Sequence, residues 1–313
     1  MSATCVVFAY HDVGVRCLSV LLEKGLDVRL VATHRDDPGE NVFFASVEQL
    51  ARRHGLDIEA SEDASSPALL ARLQAIAPDF LFSFYYRRML PQAVLAVARR
   101  GAFNMHGSLL PKYRGRAPVN WAVLEGARET GATLHEMVAK PDAGRIVGQQ
   151  AVPIGPDDTA GEVFARVTDA AEAVLRRELP CLLDGSAVLV PQDLAAGSYR
   201  GGRRPEDGRI DFTRPARAIH DLVRAVAPPY PGAFTEFRGE ALKILRTRIA
   251  GPPGAARQPR LRLERGRAFI DAADGGTLEI LEVEHAGRPL SAQAFCDNVG
   301  PGAFPLPPER STA

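Results

Sequence analysis

The chain opens on an unbroken apolar and β-branched run, TCVVFAYH (4–11), followed by VGVRCLSVLLEKG, where apolar positions recur at helical spacing up to Gly25. That pattern predicts a buried strand and then an amphipathic helix. The alternation continues through LDVRLVATH (26–34), a helical FFASVEQLARRHG (43–55), a short LDIEA, a helical SPALLARLQAIA, a strand DFLFSFYY (79–86) and a strand GAFNMH (101–106). Strands alternating with helices of about a dozen residues predict βαβ units, so residues 1 to about 107 read as an α/β, Rossmann-like, mostly parallel sheet with helices on both faces. Beyond it the pattern gives a helix at PVNWAVLEG, strands at ETGATLHEMVA and RIVGQQAVPI around a KPDAG turn, and a long helix from DDTAGEVFARV to about Leu183. Thr159 and Glu162, three apart, fit a capping box opening that helix. Residues 185–205, rich in Gly, Ser, Pro and charge, read as a linker between a domain at 1–184 and one at 206–307. The second domain shows one helix, PARAIHDLVRAVA, then short strands broken by turns, which predicts a small β-barrel or sandwich. Residues 308–313 read as a mobile tail.

Composition narrows the possibilities only a little. The 313 residues are 46% hydrophobic and 24% charged, with 38 Lys plus Arg against 38 Asp plus Glu. A balanced chain has no whole-molecule field to steer it toward a polyanion, so nucleic acid is not an expected partner. The four cysteines have no paired or metal-ligand spacing, which suggests reduced thiols and a cytoplasmic protein. No segment approaches the roughly 18 apolar residues of a membrane span, and no signal peptide precedes the first strand, so membrane insertion is not expected.

The densest chemistry lies in FNMHGSLLPKYRGRAP (103–118), at the carboxyl end of the strand GAFNMH, where open α/β sheets bind ligands. Asn104 and His106 are two apart and therefore share a face of that strand. A neutral imidazole can take a proton near neutral pH, and an amide NH2 can donate to a developing oxyanion; the pair suits acyl transfer to an amine. A histidine that only caps a turn would show the same spacing. Ser108 follows closely, but without a GxSxG elbow it is no serine nucleophile. Asp142, in KPDAGRIVGQ, supplies a carboxylate that could orient an imidazole and stabilise its protonated form, or could simply make an Asx turn before Gly144.

Ordered together, Asn104-x-His106, Ser108-Leu109-Leu110-Pro111, Tyr113-Arg114-Gly115, Thr130-Gly131 and Asp142-x-Gly144 resemble the signature of the 10-formyltetrahydrofolate-dependent formyltransferases. That family includes methionyl-tRNA formyltransferase and the sugar N-formyltransferases. The resemblance implies a Rossmann-like catalytic domain followed by an OB-like one, 10-formyltetrahydrofolate as co-substrate and no metal. It also implies that His106 transfers the proton, Asn104 stabilises the tetrahedral oxyanion and Asp142 stabilises the charged imidazole. Folate contacts would fall on Arg88, Met89 and Leu90, on Arg116, and on Val138, Ala139, Lys140, Pro141 and Asp142. Arg116 and the Arg87-Arg88 pair suit the folate carboxylates on chemical grounds too. Met89 and Pro141 depart from the family pattern without removing a catalytic group.

Four stretches, VVFAYHDVG, THRDDPGENVFFASV, SFYYRRML and VRAVAPPYPGAF, resemble the members that formylate UDP-4-amino-4-deoxy-L-arabinose for lipid A modification and polymyxin resistance. Tyr113 stands where the tRNA enzymes carry Trp. The implied acceptor is that nucleotide sugar, with another UDP-, dTDP- or GDP-linked amino sugar or methionyl-tRNA as alternatives. The resembling enzyme usually continues into an NAD-dependent decarboxylating dehydrogenase, so that activity is expected on a separate polypeptide, and the oligomeric state stays open. A dehydrogenase role for this chain is disfavoured because AYHDVGVRC lacks GxGxxG. Hydrolysis of the formyl folate, or inert binding, would be separated from transfer by product analysis.

Overall fold

The apolar run at the start of the chain forms β1 (Thr4–Ala9), with Cys5 to Ala9 wholly excluded from solvent, because a strand inside a parallel sheet is covered on both faces. The computed structural model describes residues 2–36, 41–60, 63–255 and 257–306. After β1 come α1 (His11–Glu23), β2 (Asp27–Ala32), α2 (Val47–Arg53), β3 (Ile58–Glu59), α3 (Pro67–Ile76), β4 (Phe80–Phe84), α4 (Gln92–Leu95) and β5 (Gly101–His106). The chain continues through β6 (Arg114–Gly115), α5 (Pro118–Leu124), β7 (Glu129–Glu136), β8 (Ile146–Pro153), α6 (Ala160–Asp184) and β9 (Tyr199–Arg200). Residues Met1–Pro118, Glu129–Pro153 and Phe164–Gly201 make one compact unit, and Val119–Arg128, Ile154–Val163 and Gly202–Ala313 the other.

In the first unit the sheet runs β3-β2-β1-β4-β5-β7-β8. The pairs from β3 to β5 are parallel, and β5–β7 and β7–β8 are antiparallel. The short connection between β7 and β8 permits only the antiparallel arrangement. The strand order reverses between β1 and β4, the place where an open α/β sheet leaves a crevice at its carboxyl edge. Two boundaries differ from the sequence pattern for local reasons. Ser46 caps α2, accepting from the Gln49 amide at 3.2 Å, so Phe43 and Phe44 stay outside the helix and Phe44 stacks on His11 at 4.1 Å. β4 stops at Phe84 because Tyr85 takes a left-handed φ of 59°. The capping box of α6 is formed in both directions, Glu162 N to Thr159 Oγ1 at 3.3 Å and Thr159 N to Glu162 Oε2 at 2.8 Å. Within the stretch read as a linker, β9 pairs in parallel with β6.

The second unit carries α7 (Ala216–Val226), β10 (Ala233–Phe237), β11 (Glu240–Gly251), β12 (Arg260–Glu264), β13 (Arg267–Asp271), β14 (Thr277–His285), β15 (Arg288–Ser291), α8 (Ala292–Val299) and β16 (Gly302–Pro305). Its strands form an antiparallel half-barrel in the order β10-β11-β14-β13-β12-β16, with β15 on β14. Phe212, Ile219, Leu242, Ile270 and Phe295 are among the side chains of its core. α8 corrects the one-helix reading of this region: Ser291 caps it, accepting from Ala294 N at 3.2 Å, and Phe295 and Cys296 face the core. The tail expected to be mobile, 308–313, lies outside the described residues. Among the described residues no helix is long and apolar enough to cross a membrane.

Candidate active site

Antiparallel pairing of β5 with β7 sets Asn104 directly opposite His135. Their side chains meet, Asn104 Nδ2 lying 3.1 Å from His135 Nε2. His135 Nδ1 is 2.8 Å from the Glu136 carbonyl; a carbonyl only accepts, so Nδ1 carries the hydrogen and Nε2 of the neutral ring accepts from Asn104. This chain of donors fixes which way the Asn104 amide points. One of its two N–H bonds is spent on His135.

His106, at the end of β5, is buried. Its Nε2 donates to the Tyr113 carbonyl at 2.8 Å. Nδ1 therefore holds the free lone pair of the neutral ring, and it faces Asp142 Oδ1 at 3.7 Å. The same carboxylate oxygen stands 3.5 Å from His135 Nε2, while Oδ2 accepts from the Gly115 amide at 2.8 Å. Burial alone would push the Asp142 carboxyl up, but the positive charge of the His106 and His135 rings in their protonated form, together with the Gly115 amide, holds it well below the usual carboxylate range. Asp142 is thus an anion aimed at the nitrogen that can take a proton.

The loop between β5 and α5 is tied down from within. Ser108 is fully buried and donates to the Lys112 carbonyl at 2.6 Å, a loop-holding role. Thr133 Oγ1 donates to the Ser108 carbonyl at 2.6 Å, accepts from Leu110 N at 3.2 Å and accepts from Gln149 Nε2 at 2.8 Å. Tyr113, Ala117 and Asp142 all have left-handed φ, at 56°, 51° and 50°. Such conformations in non-glycine residues are costly and collect where a loop must hold a functional geometry. Gly115, at φ 103°, has no such penalty, and a Cβ there would stand 2.2 Å from the Arg200 carbonyl oxygen.

Asn104, His106 and Asp142 are therefore brought together, with His135 as the member that sequence reasoning missed. A histidine inside the strand ETGATLHE looks like any buried polar residue until the register with β5 is known. The remaining sequence candidates flank this cluster in the strand order: Arg88, Met89 and Leu90 follow β4 on one side of β5, and Val138 to Pro141 follow β7 on the other. Arg88, Met89, Val138, Ala139 and Lys140 are exposed, Met89 by 62%, whereas Leu90 packs into the core beside Met137. Arg116 has an exposed side chain, its backbone amide donating to the Arg200 carbonyl at 3.0 Å.

Residues 16–179 match the family model described as Formyl transferase, and residues 203–299 match Formyl transferase, C-terminal domain. Among solved structures the chain is similar to the N-formyltransferase from Helicobacter canadensis in complex with folinic acid and dTDP-3-aminofucose, at 20% identity over 90% of this chain and 99% of that one, TM-score 0.69. It is also similar to WlaRD, a sugar 3N-formyl transferase in the presence of dTDP and 5-N-formyl-THF, at 20% identity over 90% and 97%, TM-score 0.70. HypX from Aquifex aeolicus, in complex with tetrahydrofolic acid, matches at 17% identity over 95% of this chain and 47% of that one, TM-score 0.63. At these identities the likeness is one of fold.

Proposed function

The chain belongs to the formyl transferase family and is a formyl-transferring enzyme, and from that premise we propose that it moves the formyl group of 10-formyltetrahydrofolate onto the amine of a nucleotide-linked amino sugar. The observation that carries the reading is the joined cluster of Asn104, His106, His135 and Asp142 at the carboxyl end of β5. Two of the structurally similar proteins are sugar N-formyltransferases determined with a formylated folate and a dTDP species, which supports the same pairing of substrates here. The exposed side chains of Met89 and Val138 offer apolar surface to a pteridine, and the exposed guanidiniums of Arg88 and Arg116 suit the folate carboxylates.

The folate supplies an electrophilic formyl carbon, and the protein's own groups do the rest. The free N–H of Asn104 donates to the oxygen as negative charge develops on it. His106 takes the proton of the attacking amine on Nδ1, since Nε2 is committed to Tyr113, and gives it to the folate N10 as the bond from the formyl carbon to N10 breaks and tetrahydrofolate leaves. Asp142 holds the resulting imidazolium without itself taking the proton, as its depressed pKa requires. The finer part of the proposal is that the acceptor is UDP-4-amino-4-deoxy-L-arabinose, destined for lipid A and polymyxin resistance, in keeping with VVFAYHDVG, SFYYRRML and VRAVAPPYPGAF.

The test is a formylation assay with 10-formyltetrahydrofolate and a panel of UDP-, dTDP- and GDP-linked amino sugars plus methionyl-tRNA, products being identified by mass. Formylated UDP-4-amino-4-deoxy-L-arabinose is the expected product. Formylation of methionyl-tRNA alone would overturn the sugar reading, and a dTDP- or GDP-linked product would replace the finer part.

A further inference from the structure

We infer that Gln192, in the stretch between α6 and β9, is a positioning residue that sets the turn carrying Asp142. The inference rests on the reading above, in which Asp142 stabilises the imidazolium of His106. Gln192 Nε2 donates to two carbonyls of one turn, that of Asp142 at 3.0 Å and that of Gly144 at 2.5 Å. An amide NH2 has two hydrogens, so one group closes the turn across Ala143.

The turn itself is not relaxed. Asp142 has φ 50°, and Gly144 lies so close to Glu136 that a Cβ would stand 1.9 Å from that residue's carbonyl oxygen. Without the clamp, nothing in the local backbone preference favours this shape. Gln192 also holds its place at a cost. Its Oε1 is buried with no partner among the described residues, and leaving a buried polar group unsatisfied is unfavourable. A hydrophobic side chain of the same length would avoid that cost, which points to the NH2 as the part that matters.

The stretch that carries Gln192 is anchored on both sides of it. Val190 exchanges both backbone hydrogen bonds with Ile146 at 2.8 Å. Ser198 Oγ accepts from Tyr113 N at 2.9 Å, and the Ser198 and Arg200 carbonyls accept from Arg114 N and Arg116 N at 3.0 Å. Those partners belong to the loop whose Tyr113 carbonyl holds His106 and whose Gly115 amide holds Asp142. One segment thus secures the backbone of Asp142 through Gln192 and the supports of its carboxylate through β6. A shift of about 1 Å at a catalytic group is enough to cost up to about 100-fold in rate, so losing one of two such supports is expected to cost about 10-fold.

The experiment compares wild type, Gln192→Leu, Gln192→Glu, Asp142→Asn and the Gln192→Leu/Asp142→Asn pair, all in the full chain. Hydrogen exchange without any substrate reads the turn directly: both Gln192 variants should exchange faster over residues 138–146 and unchanged over α1 and β1. With 10-formyltetrahydrofolate and UDP-4-amino-4-deoxy-L-arabinose, Gln192→Leu should lower kcat about 10-fold and leave both KM values within about twofold. In the Asp142→Asn background the same change should cost less than about twofold, because its target is already gone. Unchanged exchange over 138–146, a wild-type kcat, a loss confined to KM, or a full additional 10-fold loss in the double variant would each overturn the inference. Faster exchange in a chain that formylates no amino sugar would place the failure in the functional reading instead, and normal turnover of Asp142→Asn would remove both.

Discussion

At His106, Nε2 is engaged by Tyr113 and Nδ1 faces a carboxylate 3.7 Å away, so in the proposed mechanism its removal takes away the proton acceptor. His106→Ala and Asn104→Ala are each expected to lose at least about 100-fold in turnover, the usual scale for an acid-base or oxyanion group. Steady-state kinetics on a variant with native circular dichroism checks this, and near-normal turnover would take that residue out of the mechanism. Asp142 makes a second, thermodynamic prediction. Its folded pKa lies below the unfolded value of about 3.9, so its ionised form adds stability above that value, and the gain shrinks as pH falls toward the folded pKa. The urea midpoint of wild type should exceed that of Asp142→Asn by more at pH 5 than at pH 3; an equal or larger gap at pH 3 would refute the assignment. Asn104, His106 and Asp142, which the structure brings together, were readable as candidates because their chemistry shows in residue type and spacing. His135 and Gln192 were not, because what they do depends on a cross-strand register and on a chain reversal about 50 residues away.

Periodicity reports what a segment buries, and for that reason it located most elements and missed some of their limits. β1, β4 and β5 were readable as apolar runs, yet the end of β4 depends on the left-handed φ of Tyr85, which no hydrophobic pattern encodes. α8 did carry a signal, with Ala292, Phe295, Cys296 and Val299 at helical spacing behind the Ser291 cap, but eight residues among strands are easily absorbed into a turn. The parallel and antiparallel halves of the first sheet differ in direction, and connections limit that direction: a crossover helix permits parallel pairing, as from β1 to β2, without requiring it, since α5 lies between the antiparallel β5 and β7, whereas the short 137–145 turn forces antiparallel pairing of β7 with β8. The start of α6 shows local and tertiary information agreeing, since Thr159 and Glu162 satisfy each other's backbone amides and Glu162 also meets Arg246 at 3.2 Å. Thr159→Ala leaves the Glu162 amide unsatisfied and is expected to cost about 1 kcal/mol, read as a lower urea midpoint with an unchanged slope. A change within error would mean that the cap adds nothing to the packing of the helix.

Across the whole chain, charge bears on the proposed choice between a nucleotide sugar and a tRNA as acceptor. Methionyl-tRNA is a polyanion, and gripping it requires several unneutralised cations whose counterion release makes binding steeply salt-dependent. Residues 205–313 hold 15 Lys plus Arg against 14 Asp plus Glu. Many of these cations are already paired: Arg248 and Arg267 with Glu279, Arg260 and Arg262 with Asp271, and Lys243 with Glu284. Each such pair would have to open, or stay closed and contribute nothing, when a phosphate backbone approached. A nucleotide diphosphate presents far less charge and needs only one or two local guanidiniums. Binding of methionyl-tRNA at about 0.15 M salt is therefore expected to be no tighter than the non-specific range of about 10⁻⁴–10⁻⁶ M, with a slope of log K against log salt corresponding to only two or three phosphates. Filter binding across a salt series measures both quantities. Sub-micromolar affinity with a slope of six or more would mean that these ion pairs yield to the nucleic acid, and that the acceptor is the tRNA.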